Sequence, residues 1–183
     1  CHDMRLPRLF RSDPATDSAY TLYAEVVRQS RLPAFYLEGG VPDSLDGRFD
    51  LIALHAFLVL RRLKAEGTAG QDMAQRLFDI MFADMDRSLR EMGVGDLGVG
   101  RRVKAMASAF YGRIAAYDKG LAEGEAVLSD ALRRNLFGTA DPSPAVLQRM
   151  VVYLRHQATE SDAWPPSALL AGQARFAPPN WAG

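Results

Sequence analysis

The 183-residue sequence predicts an all-α fold, a single-domain bundle of about five to six helices with an irregular C-terminal tail. Three observations carry the prediction. Apolar residues recur at three- and four-residue spacing over long stretches, glycine and proline separate those stretches, and no two segments read as paired strands.

The first helix is expected from about Thr16 to Arg31, with Tyr20, Tyr23 and Val27 on one side. Asp13-Pro14 precedes it, and Pro33, which has no N–H to offer a helix interior, ends it. Phe35 to Asp43 is dense in glycine and proline and reads as a loop. A second helix starts near Ser44 or Asp46 and reaches Glu66, where Gly67 closes it. Between Leu51 and Leu60 it is apolar nearly all round, the mark of a central, buried helix. The third runs from about Gln71 to Met92, with Met73, Leu77, Met81, Met85 and Met92 near one stripe. Its outer face carries the helix-spaced charges Asp72/Arg76, Asp86/Arg90 and Arg87/Glu91, each pair worth about 0.2–0.5 kcal/mol. Gly93, Gly95, Gly98 and Gly100 then break the chain. A fourth helix covers about Val99 to Ala122, and Gly124 separates it from a shorter one ending at Phe137-Gly138. Pro142 and Pro144 open a fifth, to about Gln157. After Trp164-Pro165-Pro166 the tail reads as irregular.

Composition narrows the function. Lys+Arg 22 balances Asp+Glu 22, so no global field draws the protein to nucleic acid or anionic lipid, and an electrostatic partner needs a local patch. The single cysteine, Cys1, excludes an internal disulfide framework and most thiolate metal sites. Cys1-His2-Asp3 ahead of Met4 reads as a vector-derived remnant, and residues 1–14 as that remnant plus a flexible N-terminus. The stretch Leu51 to Leu60 is too short to cross roughly 30 Å of hydrocarbon, which takes about 20 helical residues, so no transmembrane segment is expected.

Candidate chemistry is scarce. Gly93-Val94-Gly95-Asp96-Leu97-Gly98 fits the dinucleotide pattern, but that chemistry needs a strand before the turn, and here a charged amphipathic helix precedes it. A glycine-rich connection between helices is the better reading. His55 sits in the most apolar helix with no ligand-type residue one turn away, as a core histidine would. Ser108 and Ser129 lack a nucleophile elbow. No enzyme and no cofactor are expected from these residues.

The fourth helix offers more. Ala105, Ala109, Gly112 and Ala116 form a strip of small residues along one side, which lets another helix approach closely. That helix either belongs to the same bundle or is an apolar helix of another protein. Arg101, Arg102 and Lys104 stand at its expected start, where the helix dipole disfavours cations by about 0.3–1 kcal/mol each. Either they pair with acids such as Asp84, Asp86 or Asp96, or they meet an anionic partner.

Three stretches together resemble one known family. They are Gly40-Val41-Pro42-Asp43-Ser44-Leu45-Asp46-Gly47-Arg48-Phe49-Asp50, leading into Leu54-His55-Ala56-Phe57-Leu58-Val59-Leu60-Arg61-Arg62-Leu63; Phe82-Ala83-Asp84-Met85-Asp86-Arg87-Ser88-Leu89-Arg90-Glu91 with Gly93-Val94-Gly95-Asp96; and Arg101-Arg102-Val103-Lys104-Ala105-Met106 with Phe110-Tyr111-Gly112-Arg113. In this order they resemble the ubiquinol–cytochrome c chaperones, over about Ala19 to Arg155.

The resemblance implies a non-enzymatic assembly factor of the cytochrome bc1 complex that binds cytochrome b or another bc1 subunit. It implies a helical chaperone domain over residues 15–160, followed by the irregular tail 161–183. Mitochondrial relatives work with a small partner near the ribosome; the short N-terminus here points to a bacterial member in the cytoplasm, at the inner-membrane surface. Candidates for the client surface are Val41, Asp43, Arg48, Asp84, Asp86, Arg101, Arg102, Lys104, Ala105, Ala109, Gly112 and Arg113. The alternative is a helical carrier of a small apolar molecule such as haem or quinol, motivated by His55. Neutral overall charge argues against an RNA partner.

Overall fold

A computed structural model describes residues 13–181; the expected remnant and the histidine at position 2 lie outside them. The described residues form helices and no strand. Six long helices, α1 (Pro14–Ser30), α3 (Leu45–Leu63), α4 (Gly67–Glu91), α5 (Asp96–Glu123), α6 (Glu125–Asn135) and α7 (Pro144–Asp162), are joined by two short ones, α2 (Ala34–Leu37) and α8 (Pro166–Leu170).

The centre is α3. Every residue from Phe49 to Val59 is buried, and α1, α4, α5 and α7 pack around it. Its entry is built by Ser44, whose hydroxyl accepts from the Gly47 amide at 3.1 Å and so satisfies an orphan donor of the first turn. Gly47 is needed there: a Cβ would sit 2.0 Å from the Pro42 carbonyl oxygen, so only glycine lets the 41–44 loop lie against the helix. The methionine stripe of α4 is core as expected at Met73, Leu77, Met81 and Met85; its last member, Met92, is exposed.

Four expectations are corrected. The loop after Pro33 opens with one helical turn, α2, because burying Phe35 against His55, Tyr153 and Trp181 favours a local fold there. Helix α4 begins at Gly67 rather than Gln71, separated from α3 only by the 3₁₀ turn Lys64–Glu66. Helix α7 continues past Gln157 to Asp162. Helix α5 begins at Asp96 rather than Val99, absorbing Gly98 and Gly100, because Val99 is a fully buried anchor and its amide donates to the Gly95 carbonyl at 2.9 Å. The break is confined to Met92–Gly95, where Gly93 takes the left-handed conformation (φ +82°) that ends α4.

Residues 173–181 have no regular structure, yet they close one side of the core. Phe176 packs edge-on to His55 and Trp164, Trp181 packs against Phe35 and Tyr153, and the Ala177 carbonyl accepts from Gln29 at 2.8 Å and Gln157 at 2.6 Å.

Candidate functional site

An open groove of about 700 Å³ runs where the end of α1, helix α2, the loop before α3, the start of α3 and the end of α4 meet. Phe49, Ile52 and Met85, side chains that belong to the core, reach its floor. Two exposed large apolar side chains stand on its edges: Leu37, 81% exposed, and Met92, 54% exposed. Both signs of charge surround it, with Arg31 and Arg48 against Asp43, Asp84 and Glu91.

Each charge has a physical setting. Arg48 and Asp43 form an exposed ion pair at 2.9 Å, worth little to stability but holding the loop to the first turns of α3. The Asp84 carboxylate accepts from the Tyr23 hydroxyl at 2.7 Å and from Arg87 at 2.5 Å. Burial, then that carboxylate, pushes the Tyr23 phenol above its ordinary range, so it stays a donor.

The sequence candidates fall in four settings. Asp43, Arg48 and Asp84 come together around the groove. Arg101, Arg102 and Lys104, with Ala105, Ala109 and Gly112, lie exposed along α5, and no helix of the described residues covers that strip at Ala105, Ala109 or Gly112. Asp86 is taken up by Arg90 at 2.7 Å, while Asp84 and Asp96 bind Arg87 and Arg90 respectively. These acids therefore do not neutralise Arg101, Arg102 or Lys104, none of which makes an ion pair among the described residues. Because α5 starts early, Arg101 also lies beyond the first turn, where the macrodipole has faded. The dipole no longer makes these cations anomalous; their lack of partners does.

Two candidates face inward. Val41 is buried, its amide donating to the Phe35 carbonyl at 3.0 Å, and presents no surface. Arg113 is held by Asp50 at 2.6 Å, lies over the Phe49 ring at 5.6 Å, and donates to the Asn135 carbonyl at 3.3 Å. It clamps α5 to α3 and α6 behind the groove floor. The sequence places Leu37 at the head of the loop 37–50 that borders the expected client surface, but reads Met92 as core; the signal for Met92 was that it ends its stripe directly before a glycine break.

His55 is wholly enclosed. Its Nδ1–H donates to the Leu51 carbonyl at 2.8 Å, and Nε2 accepts from the Tyr153 hydroxyl at 2.8 Å, which accepts in turn from Gln29 at 2.9 Å. Burial lowers its pKa to about 4, in keeping with this neutral tautomer. With both ring nitrogens engaged, His55 offers no ligand to a haem iron. Among the described residues no group of three or more His, Cys, Asp or Glu could hold a metal ion, and no helix is long and apolar enough to cross a membrane.

The sequence profile of the ubiquinol-cytochrome C chaperone family matches residues 37–176. Ubiquinol-cytochrome c reductase complex assembly factor 1 of Mus musculus is 29% identical over 162 residues, covering 88% of this chain and 55% of that protein. The Xenopus laevis protein named likewise is 29% identical over 140 residues, 76% of this chain and 70% of its own length. The chain thus spans little more than half of the mouse relative. The crystal structure of the Cbp3 homolog from Brucella abortus superposes with a TM-score of 0.80 at 34% identity, covering 90% of this chain and 91% of the other.

Proposed function

The chain belongs to the ubiquinol-cytochrome C chaperone family, and from that premise we propose that it is a non-enzymatic assembly chaperone whose groove holds an apolar segment of a cytochrome bc1 subunit, cytochrome b foremost. One observation carries the reading. Leu37 and Met92 stand in water on edges of the same groove, above a floor of Phe49, Ile52 and Met85. An exposed apolar pair over an apolar floor gains nothing for the folded monomer, and gains when another apolar chain covers it. Thioether side chains at the floor and edge adapt to segments of different shape, as a handler of a multi-helix membrane protein requires. A small partner protein, contact with the ribosome and a place at the inner-membrane surface, which the family resemblance implies, would belong to the same assembly role.

The test uses exposed residues, so folding is not at stake. Leu37→Glu and Met92→Glu should leave the thermal midpoint almost unchanged. In cells lacking the endogenous protein, both should lower crosslinked capture of cytochrome b and the amount of assembled bc1 complex. Variants that capture and assemble like the parent would remove the groove from the mechanism. Capture of a different bc1 subunit by the parent would change the client and keep the groove.

A further inference from the structure

The end of the α4–α5 hairpin carries a second surface, independent of the groove. Leu97, in the first turn of α5, is 90% exposed, the most exposed large apolar side chain described. Arg101 and Lys104 follow it at four and seven residues, on the same outward face of the helix, with Arg102 beside them. All three cations are exposed and make no ion pair among the described residues, in a protein whose net charge is zero. The acids of this end are in part already used: Arg90 holds Asp86 and Asp96, and Arg87 holds Asp84.

Two further features mark the same place. Gly95 gives α5 no side-chain cap, which leaves first-turn amides and the positive end of the dipole open at the tip. At Gly95 and Gly100 a Cβ would meet nothing within 4 Å, so packing does not demand glycine at either. Both leave the backbone bare beside Leu97.

We propose that this tip docks on an anionic phospholipid bilayer. With α5 standing end-on, Leu97 enters first. Arg101 and Lys104 follow at about 6 and about 10 Å along the axis, from a rise of 1.5 Å per residue, a spacing that places cations among phosphates while the aliphatic group reaches below them. Phosphate recognition alone would also suit a nucleic acid, but a nucleic acid makes no use of an aliphatic tip, and the nearby Tyr111 ring is already stacked on Phe78 at 5.5 Å. A lipid surface uses both halves of the feature.

The experiment is co-sedimentation of the full chain with vesicles of phosphatidylcholine alone or mixed with phosphatidylglycerol. The parent should bind only the anionic vesicles, and added salt should release it. Reversing all three cations (Arg101→Glu, Arg102→Glu, Lys104→Glu) should lower partitioning by at least about a hundredfold, at about fivefold for each basic residue lost. Leu97→Ser should weaken it several-fold, and Leu37→Glu, in the groove, should sediment like the parent. These vesicles hold no polypeptide client, so the result does not depend on the groove reading. The proposal falls if the parent does not sediment, if neutral vesicles bind it equally, if the reversed variant binds like the parent, or if the same variants lose only binding to RNA on filters.

Discussion

Arg113 of α5 and Asp50 of α3, 63 residues apart in sequence, meet at 2.6 Å with both side chains largely buried. The guanidinium also covers Phe49, whose other side reaches the groove, so the clamp and the candidate site share a wall.

Arg113→Ala would leave the Asp50 carboxylate enclosed without its partner. Removing one member of a buried pair costs about 3–5 kcal/mol, and the slight exposure of this one places it near the lower end. Urea unfolding of Arg113→Ala, Asp50→Asn and the double variant measures the coupling. Additive losses would show the contact to be energetically idle.

Two titrations oppose each other in mild acid. Burial lowers His55 from 6.5 to about 4, so the unfolded chain takes up that proton first and stability is lost as pH falls from 6.5 towards 4. Burial outweighs Arg113 at Asp50 and raises it from 3.8 to about 6, so its contribution is complete below 3.8 and is lost as pH rises through 6. Between these limits the two slopes offset. Asp50→Asn removes one of them and should expose a loss approaching about 1.4 kcal/mol per pH unit on acidification from 6 to 4. An unchanged slope in chemical denaturation would refute the assignment.

Gly100 and Gly112 lie inside α5 with open space where a Cβ would point. Alanine at each should stabilise by about 0.8–1 kcal/mol, read as a rise of about 2–4 °C in the thermal midpoint. A fall at Gly112 would reveal a close neighbour on the small-residue strip.

Tyr153 links Gln29 to His55 through one hydroxyl. Tyr153→Phe deprives Nε2 of its donor in a sealed site and should cost about 1–3 kcal/mol in denaturation midpoint analysis. Gln29→Leu should cost less if the Ala177 carbonyl keeps its second donor, Gln157.

The scaffold was largely legible in the sequence because helices announce themselves locally. The all-round apolar run at Leu51–Leu60 marked α3 as central, and the Met73–Met85 spacing named the core face of α4. Charge pairs one turn apart were equally readable at Asp72/Arg76 and Asp86/Arg90, whereas Arg87 chose Asp84 over Glu91. The groove was legible only in part: Asp43, Arg48 and Asp84 stood out, but residues 30–52 and 84–92 build it together and neither stretch carries its pattern alone. Arg113 looked like surface charge for the same reason: its partner is distant in sequence. The early start of α5 was hidden because glycine lowers helix propensity locally, while the burial of Val99 that overrides it is a tertiary effect.

The extended segment 173–181 sets a condition on how the core matures. During synthesis, helices α1 to α7 emerge before Phe176, Ala177 and Trp181 exist, leaving Gln29 and Gln157 without their shared acceptor and Phe35 and His55 facing water. Maturation of the core therefore waits on residues 176–181. A premature stop in that stretch would strike the hydrophobic interior, because Phe176 and Trp181 pack on His55, Phe35 and Tyr153.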